Sequence, residues 1–216
     1  MSEAKHPTIE LLSFKASEAM LNDESLINPV LDAVRKAQGS QHIYVGKCVD
    51  DGETNTRFVF VTWDSRADHK RLEEDAPVYE QLLKDFTKCA DGAAGFNVFH
   101  IVSSDDPTMV FKAPVTEIAQ VQVKGDGSSP VLKQLFLNWA EATRNAPSAK
   151  EYQPFVCGQS LEKTDIHYMI GGWATKDHHY HCIDKEVNYE IGLLADQTEK
   201  LTVRHCIVTE YGVGSQ

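Results

Sequence analysis

The chain of 216 residues lacks the features of membrane and secreted proteins. It has no apolar run close to the roughly 20 residues that span a bilayer, and its opening, MSEAKHPTIE, has no apolar core like that of a secretory signal. Basic residues are also scarce, 21 against 32 acidic ones, and the resulting net charge of −11 repels phosphate backbones and anionic lipids. We therefore expect a cytoplasmic protein that binds neither nucleic acid nor membranes.

Paired cysteines and the common nucleotide motifs are missing too. The five cysteines are an odd number, widely spaced and without a C-x-x-C pair, which excludes a disulfide framework and a cysteine zinc site. No GxGxxG follows a strand, and there is no P-loop, GxSxG or HExxH. The sequence thus gives no sign of a nucleotide cofactor, a serine hydrolase or a zinc protease.

What the chain does contain is an internal repeat. At an offset of 110, WDSRADHKRLEEDAPVYEQLL (63–83) aligns with WATKDHHYHCIDKEVNYEIGLL (173–194). The matched positions are Trp63 and Trp173, Ser65 and Thr175, Arg66 and Lys176, His69 and His179, Tyr79 and Tyr189, and Glu80 and Glu190. Self-similarity at one offset indicates two copies of one structural unit.

The similarity extends towards both ends of each copy. TIELLSFK (8–15) aligns with TEIAQVQVK (116–124), and NVFHIV (97–102) aligns with TVRHCI (202–207), which pairs His100 with His205. We therefore predict two units, 1–106 and 107–216, with a polar, proline-containing linker within 103–115.

Each copy shows the same order of strand and helix patterns. A strand-like run opens the copy, and an apolar stripe at helical spacing follows, as in SPVLKQLFLNWAEAT with Ser129 as its expected N-cap. Two β-rich runs, a second helix and a last strand complete it, and the expected caps of the second helix are Asp64 or Ser65 in the first copy and Thr175 in the second. The order β-α-β-β-α-β, twice, predicts an α+β fold of two ferredoxin-like units.

A strand that ends in W-x-[ST]-[RK]-x-x-H and a helix that continues to Y-E resemble the antibiotic biosynthesis monooxygenase-like branch of the dimeric α+β barrel superfamily. The resemblance implies that the two units form an intramolecular dimeric α+β barrel, with a small-molecule pocket between sheet and helices in each half. It also implies that no cofactor and no obligatory metal is needed. Activities of such proteins include cofactor-free oxygenation of phenolic polyketides, polyketide cyclisation, quinol oxidation and haem degradation.

The paired histidines are the candidate catalytic residues. A neutral imidazole can take a proton from a phenol or an activated methylene group. We predict His69 and His179, about two turns into the second helix of each copy, as the proton-moving groups, with His100 and His205 on the last strands as their partners. The alternative is that these histidines serve only the fold, as a helix tie or as satisfied core residues.

Aromatic residues are the candidate pocket walls. The predicted substrate-binding residues are Trp63, Tyr79, Trp173, Tyr189, His42 and Tyr44. Each tyrosine of a pair follows its histidine by ten residues, close to three helical turns, so the two can share a face. The competing interpretation is that the tryptophans fill the core and the tyrosines lie at a solvent boundary.

One stretch is rich in metal-binding residue types. On a helix, His178, His181 and Cys182 fall at i, i+3 and i+4 and can share a face that holds Zn²⁺. The same positions of the first copy are Asp68, Arg71 and Leu72, which make no such site. We therefore predict no metal site here and interpret the stretch as an exposed histidine-rich helix face.

These residues lead to one hypothesis and two alternatives. The hypothesis is a cofactor-independent enzyme of secondary metabolism, a monooxygenase, cyclase or isomerase, that acts on an aromatic or polyketide-like small molecule by histidine acid/base chemistry. The alternatives are a non-catalytic small-molecule-binding or stress-response protein and a haem-binding or haem-degrading protein. Because both units lie in one chain, a monomer is expected to be as feasible as a homodimer.

Overall fold

The structure, a computed structural model, describes residues 7–92 and 95–212. The chain divides into two compact units. The N-terminal unit comprises Pro7–His100 and residues 209–212, and the C-terminal unit comprises Ile101–Val208. In the N-terminal unit the last residues return to strand β2, where Tyr211 N donates to Ile43 O at 2.8 Å.

The N-terminal unit contains a four-stranded sheet and four α-helices, with a 3-10 turn before the second helix. In chain order the elements are β1 (Thr8–Lys15), α1 (Glu18–Asn22), α2 (Asn28–Lys36), β2 (Ser40–Cys48), β3 (Thr56–Trp63), α3 (Arg66–Glu74), α4 (Ala76–Cys89) and β4 (Phe96–Val102). The strand order is β4-β1-β3-β2, and β3 pairs antiparallel with both β1 and β2.

The C-terminal unit repeats this plan. Its elements are α5 (Thr108–Phe111), β5 (Val115–Val123), α6 (Pro130–Asn145), β6 (Val156–Gln159), β7 (Ile166–Trp173), α7 (Lys176–His181), α8 (Asn188–Ala195) and β8 (Thr198–Glu210). The strand order is β8-β5-β7-β6, with antiparallel pairing throughout. Helix α5 lies inside the segment predicted as a linker.

The predicted fold class is confirmed: each unit has the order β-α-β-β-α-β and the strand order of the ferredoxin-like fold. The central strands β3 and β7 are buried along their whole length. This agrees with their apolar residues at both parities, because a strand covered on both faces needs no polar alternation.

One face of each sheet packs against the helices. In the C-terminal unit the core on this face joins Met169 and Trp173 of β7 with Phe136 and Trp139 of α6. In the N-terminal unit Val59, Val61 and Trp63 of β3 face the helices in the same way. Each such side chain contributes about 1.5–3 kcal/mol through burial, so the helical faces predicted from apolar spacing are held by this core.

The strand register corrects the predicted alignment of the first strands. Thr8 pairs with Trp63, and Val115 pairs with Trp173, so Thr8 corresponds to Val115 and not to Thr116. The predicted pairing was wrong by one residue, and in a strand a slip of one residue moves every side chain to the other face. The corrected register makes Glu10 and Glu117 equivalent.

The helices differ from expectation at two N-caps and in the continuity of the second helix of each unit. Thr175 caps α7, since its side chain accepts from His178 N at 3.2 Å, as predicted. Ser129 and Ser65 occupy N-cap positions, but neither side chain makes the capping hydrogen bond. The predicted second helix is divided in both units, at Asp75 between α3 and α4, and by a π-helical turn, Cys182–Glu186, between α7 and α8.

The five cysteines are free and buried, as expected for reduced thiols. Among the helices in the described part of the chain, none combines the length and the apolar character needed to cross a bilayer.

Candidate active site

Four side chains of the N-terminal unit meet in one place and form the N-terminal cluster: Glu10, Trp63, His69 and His100. The indole N–H of Trp63 donates to Glu10 Oε2 at 2.8 Å, and His69 Nε2 lies 3.6 Å from the same oxygen. His69 Nδ1 and His100 Nε2 are hydrogen-bonded at 2.6 Å. The Trp63 and His69 rings stack with centroids 5.0 Å apart. A carboxylate and two imidazoles thus form a continuous polar chain beneath an indole.

The secondary structure explains why these residues meet. Trp63 ends β3 and pairs with Thr8, so Glu10, two residues further along β1, lies on the same face of the sheet. His69 is the fourth residue of α3, in its first turn, which brings the imidazole down onto that face. The expectation of a histidine two turns into the helix was wrong, because the helix begins at Arg66.

The C-terminal unit builds the same arrangement, the C-terminal cluster, from Glu117, Trp173, His179 and His205. Trp173 Nε1 donates to Glu117 Oε2 at 2.8 Å, and His179 Nε2 lies 3.3 Å from Glu117 Oε1. His179 Nδ1 and His205 Nε2 are 2.8 Å apart, and His205 stands directly opposite Glu117 in the β5–β8 pair. The structure thus brings together both predicted histidine pairs, each with its tryptophan.

Both clusters are closed to solvent. Trp63, His69, His100, Trp173, His179 and His205 are all buried, with at most 5% of the surface of each exposed. Burial, His100 and Arg66 together lower the pKa of His69 to about 3. The His69 imidazole is therefore neutral at pH 7.

The surroundings of the clusters differ. In the N-terminal unit Glu73 Oε1 lies 3.7 Å from His69 Nδ1, and Arg66 pairs with Glu73 at 3.1 Å. In the C-terminal unit Tyr180, half exposed, packs its ring against His179 and His205, with centroid distances of 5.2 and 5.6 Å. The ring of Tyr180 therefore lies between the two histidines and solvent.

The hydrogen bonding of the C-terminal cluster is incomplete at one atom. His179 Nε2 is buried and makes no hydrogen bond in the structure, although Glu117 lies 3.3 Å away at ion-pair distance. Buried polar atoms without partners are rare and often mark sites of function.

The two paired tyrosines have different environments. Tyr79 is partly buried, and burial, Glu73 and Glu10 raise the pKa of its phenol, which places it beside the N-terminal cluster. Tyr189 is 70% exposed and lines a surface groove along α6. Tyr79 thus lies near its histidine, whereas Tyr189 is turned to solvent, and the helix is divided between histidine and tyrosine in each unit.

His42 and Tyr44 are not brought to the cluster. They pair with Thr62 and Phe60, whose side chains point away from the face that carries Trp63. His42 is exposed and forms an ion pair with Glu210 at 2.7 Å, whereas Tyr44 is buried. A shared pocket of these two residues with Trp63 is therefore excluded by the alternation of the strand.

The histidine-rich helix face is exposed at its histidines, as expected, but Cys182 does not belong to it. Cys182 is fully buried in the core, while His178 and His181 are exposed. His178 Nδ1 is 2.8 Å from Thr175 Oγ1, and His181 lies 3.8 Å from Glu186. Cys182 thus does not share a face with the two histidines.

Sequence reasoning missed Glu10 and Glu117. A signal was present, since each is an acidic residue inside an otherwise apolar strand, but the one-residue error in alignment hid their equivalence. With Glu10 included, ligand atoms of Glu10, His69 and His100 all lie within 4.8 Å of one another, a set that could hold a metal ion. Two histidines and a carboxylate are the ligand types of many non-haem iron sites.

Comparison with known proteins places the whole chain in one fold. No protein-family model and no curated protein sequence matches it. Among solved structures, a "putative monooxygenase" from Fusobacterium nucleatum is 12% identical, with a TM-score of 0.68 and coverage of 99% of this chain and 97% of that one. An anthrone oxidase-like protein is also 12% identical, with a TM-score of 0.68 and coverage of 97% and 95%.

A third similar structure, a "putative chlorite dismutase", is 9% identical, has a TM-score of 0.63 and covers 95% of both chains. At these identities the likeness establishes the fold alone. The chain shares the fold of these three proteins over nearly its whole length. The architecture implied by the W-x-[ST]-[RK]-x-x-H pattern is thereby confirmed. The likeness does not determine the reaction.

Proposed function

We propose that this protein is an enzyme that oxygenates a small aromatic, polyketide-like molecule without a cofactor. The observation that carries the proposal is the cluster of tryptophan, glutamate and two histidines, built at the same place in both units. Similar structures include a protein described as a monooxygenase and an anthrone oxidase-like protein, which supports this reaction class.

The C-terminal cluster is the better acid/base site, because the pKa of His69 in the other cluster is lowered to about 3, which makes His69 a weak base. His179 Nε2 has no hydrogen bond, so its lone pair can take a proton once Nδ1–H donates to His205. The imidazolium formed in this way lies 3.3 Å from the Glu117 carboxylate, which stabilises the new charge. Glu117 is itself held by the indole N–H of Trp173.

In the proposed reaction, His179 takes a proton from a phenol or an activated methylene group, and the substrate becomes an electron-rich anion. This anion reacts with dioxygen, which accepts its electrons. For a methylene group, one oxygen atom becomes the new carbonyl and the other leaves as water, so that CH₂ and O₂ yield C=O and H₂O. The ring of Tyr180 would border the substrate at the solvent side of the two histidines.

The N-terminal cluster supports a second candidate. The set of Glu10, His69 and His100 would suit a divalent metal such as iron, which could also activate oxygen. Its residues are already bonded to one another, so metal binding would have to replace the bond between His69 and His100.

Haem fits the clusters poorly. The two ring nitrogens of His69 face His100 and Glu10, and those of His179 face His205 and Glu117. An axial ligand needs room for a whole porphyrin beside its free nitrogen, and both imidazoles are at most 5% exposed. Absence of a Soret band after incubation with haemin is therefore the expected result.

The test is oxygen uptake by the purified protein with anthrone as the probe, against a protein-free control. We expect one O₂ consumed per anthrone, with anthraquinone as product, and uptake that survives a chelator. If chelator abolishes oxygen uptake and iron restores it, the N-terminal cluster with a bound iron ion is the active site. Binding of anthrone and simple phenols without any oxygen uptake would contradict catalysis and favour the carrier alternative.

A further inference from the structure

A cavity of about 400 Å³ lies in the C-terminal unit, at the end of the sheet opposite the C-terminal cluster. It is bounded by α6, by the hairpin of β6 and β7, and by the turns at 102–104 and 127–128. Its His167 and the cluster's Trp173 are six residues apart on β7, or about 20 Å at roughly 3.3 Å per residue. The cavity and the cluster are therefore separate places on one face of the sheet.

The floor of the cavity is a pair of stacked rings. His167 and Phe136 lie with centroids 4.3 Å apart and planes 13° from parallel. His167 is 7% exposed and Phe136 is 4% exposed, so both are fixed by their packing. Two flat rings in this arrangement present a surface on which a third planar ring can stack or pack edge-on.

The protonation of His167 follows from its surroundings. The backbone of Gly127 favours a proton on the imidazole, as a carbonyl acceptor does. His167 Nε2 is buried and has no hydrogen-bond partner, so the N–H that this carbonyl favours is on Nδ1. Burial lowers the pKa of His167 and keeps the ring neutral. Nε2 is then an acceptor without a donor.

The carbonyl that orients His167 is itself held in place. Gln159, directly opposite His167 in the β6–β7 pair, donates to Gly127 O at 3.2 Å and to Thr164 O at 2.6 Å. A side chain at Gly127 would meet Thr164 O at 2.0 Å, and its φ of +69° also favours glycine. The acceptor is thus positioned by a built turn and not by a freely rotating side chain.

The mouth of the cavity is apolar. Val102, Leu137 and Leu161 line it and are 52%, 43% and 49% exposed. Three large apolar side chains around one opening are unusual for a solvated surface without a ligand. The volume lies within the roughly 300–1,000 Å³ of small-molecule sites, and an apolar wall with one directed polar group is their usual composition.

We propose that this cavity is a second small-molecule site, which binds a planar aromatic molecule through a hydroxyl group that donates to His167 Nε2. The apolar mouth and Phe136 contact the ring system. Lys133, exposed at the edge of the cavity, adds a positive charge next to the bound ring. The site is independent of the proposed oxygenation, because it involves no residue of either cluster.

The other unit does not build this site. The residue at the position of His167 is Arg57, since Arg57 pairs with Phe14 as His167 pairs with Val121. Arg57 Nη1 donates to the carbonyls of Thr54 and Thr56, and Nη2 lies 3.6 Å from Glu24. A buried cation bound in this way offers no acceptor, so we expect a single site of this kind.

Two matched probes test the hydrogen bond, 1-naphthol and 1-methoxynaphthalene, which share a ring system but differ in the ability to donate. Calorimetric titration of the full chain should show 1-naphthol binding about tenfold more tightly, the equivalent of one hydrogen bond of roughly 1.4 kcal/mol. In protein with ¹⁵N-labelled histidine, 1-naphthol should move the Nε2 resonance of a neutral imidazole, the one that disappears in H167F. Absence of binding by both probes would overturn the proposal.

Four variants make the test specific. His167→Phe should bind both probes equally, whereas His167→Gln, which retains an acceptor, should still prefer 1-naphthol. Leu161→Glu at the exposed mouth should weaken both probes at least tenfold, and Leu201→Glu, an equally exposed leucine on β8 outside the cavity, should weaken neither. If Leu161→Glu and Leu201→Glu both bind as the unaltered protein does, the probes bind elsewhere and the cavity is not the site.

Discussion

In the N-terminal unit Glu73 and Arg66 lie beside the buried histidine, whereas the matching positions of the C-terminal unit hold Ile183 and Lys176. The C-terminal unit instead places the ring of Tyr180 against both of its histidines, where the N-terminal unit has Lys70. The two units share the same four cluster residues, but an Arg66–Glu73 ion pair lies beside the N-terminal cluster and an aromatic ring packs against the C-terminal one.

This difference separates a role in the fold from a role in chemistry. The bond from indole to carboxylate and the bond between the two imidazoles are present in both units, so they belong to the architecture. Neither His69 Nε2, 3.6 Å from Glu10, nor His179 Nε2 makes a hydrogen bond. The units differ in that the pKa of His69 is lowered to about 3, and in that the half-exposed Tyr180 packs against the histidines of the C-terminal unit. We infer that duplication left one cluster for stability and one for catalysis.

Replacement of one histidine at a time is expected to show the largest difference between the two units, measured as a change in kcat. His179→Ala should lower kcat in the oxygen-uptake assay by about 10²–10⁴, the range for loss of a general base. His69→Ala should lower it no more than about twofold, provided circular dichroism shows both variants folded. Equal losses in the two variants would mean that both clusters are catalytic, and an unaffected His179→Ala would remove the proposed mechanism.

Acid should act on the N-terminal unit through His69. Its pKa falls from 6.5 to about 3 on folding, so between these values the unfolded chain binds more protons than the folded one. Stability is then fully present above pH 6.5 and is lost as the pH falls towards 3, by up to about 1.4 kcal/mol per pH unit for this group.

Urea unfolding at several pH values between 4 and 7 measures this slope. Carboxylates titrate in the same window, so the quantity of interest is the difference between the unaltered protein and His69→Gln, in which the residue cannot ionise. The variant should show the shallower slope. Parallel curves would indicate that His69 is not the group that titrates on unfolding.

Loss of the indole N–H should affect the two units alike. Trp63→Phe and Trp173→Phe each remove a 2.8 Å hydrogen bond to a carboxylate, which costs about 1.5–3 kcal/mol when the acceptor is charged and buried. Urea unfolding of each variant gives the cost. A much smaller cost in one unit would show that its glutamate finds another donor there, and the two clusters would no longer be structurally equivalent.

The architecture could be predicted from the sequence because each copy of the repeat contains apolar residues at the spacing of helices and at the spacing of strands. The apolar stripe of 129–143 predicted α6, and the matched tryptophans and histidines predicted which side chains would meet. These are local patterns, and the fold keeps them. Glu10 and Glu117 escaped because their equivalence depends on strand register, which loops of unequal length obscure.

Features that depend on contacts between distant segments of the chain could not be predicted from such local patterns. Tyr189 was expected to face the pocket, but the π-helical turn at Cys182–Glu186 changes the helical phase and leaves it exposed. The cavity at His167 is formed by segments from Val102 to His167 that have no common motif. His167 can be identified as its polar group only from the three-dimensional structure, where the backbone of Gly127 lies near the ring and Nε2 has no partner.

The smallest expected effect concerns Tyr180, whose counterpart Lys70 supplies the control. If Tyr180 borders the substrate, Tyr180→Ala should raise KM about three- to tenfold, the equivalent of roughly 0.5–1.5 kcal/mol for one aromatic contact, and leave kcat nearly unchanged. Lys70→Ala, at the same position of the other unit, should change neither constant. A fall in kcat with constant KM would instead indicate that Tyr180 orients His179 and His205, because a group that acts only through the base alters the chemical step and not substrate affinity.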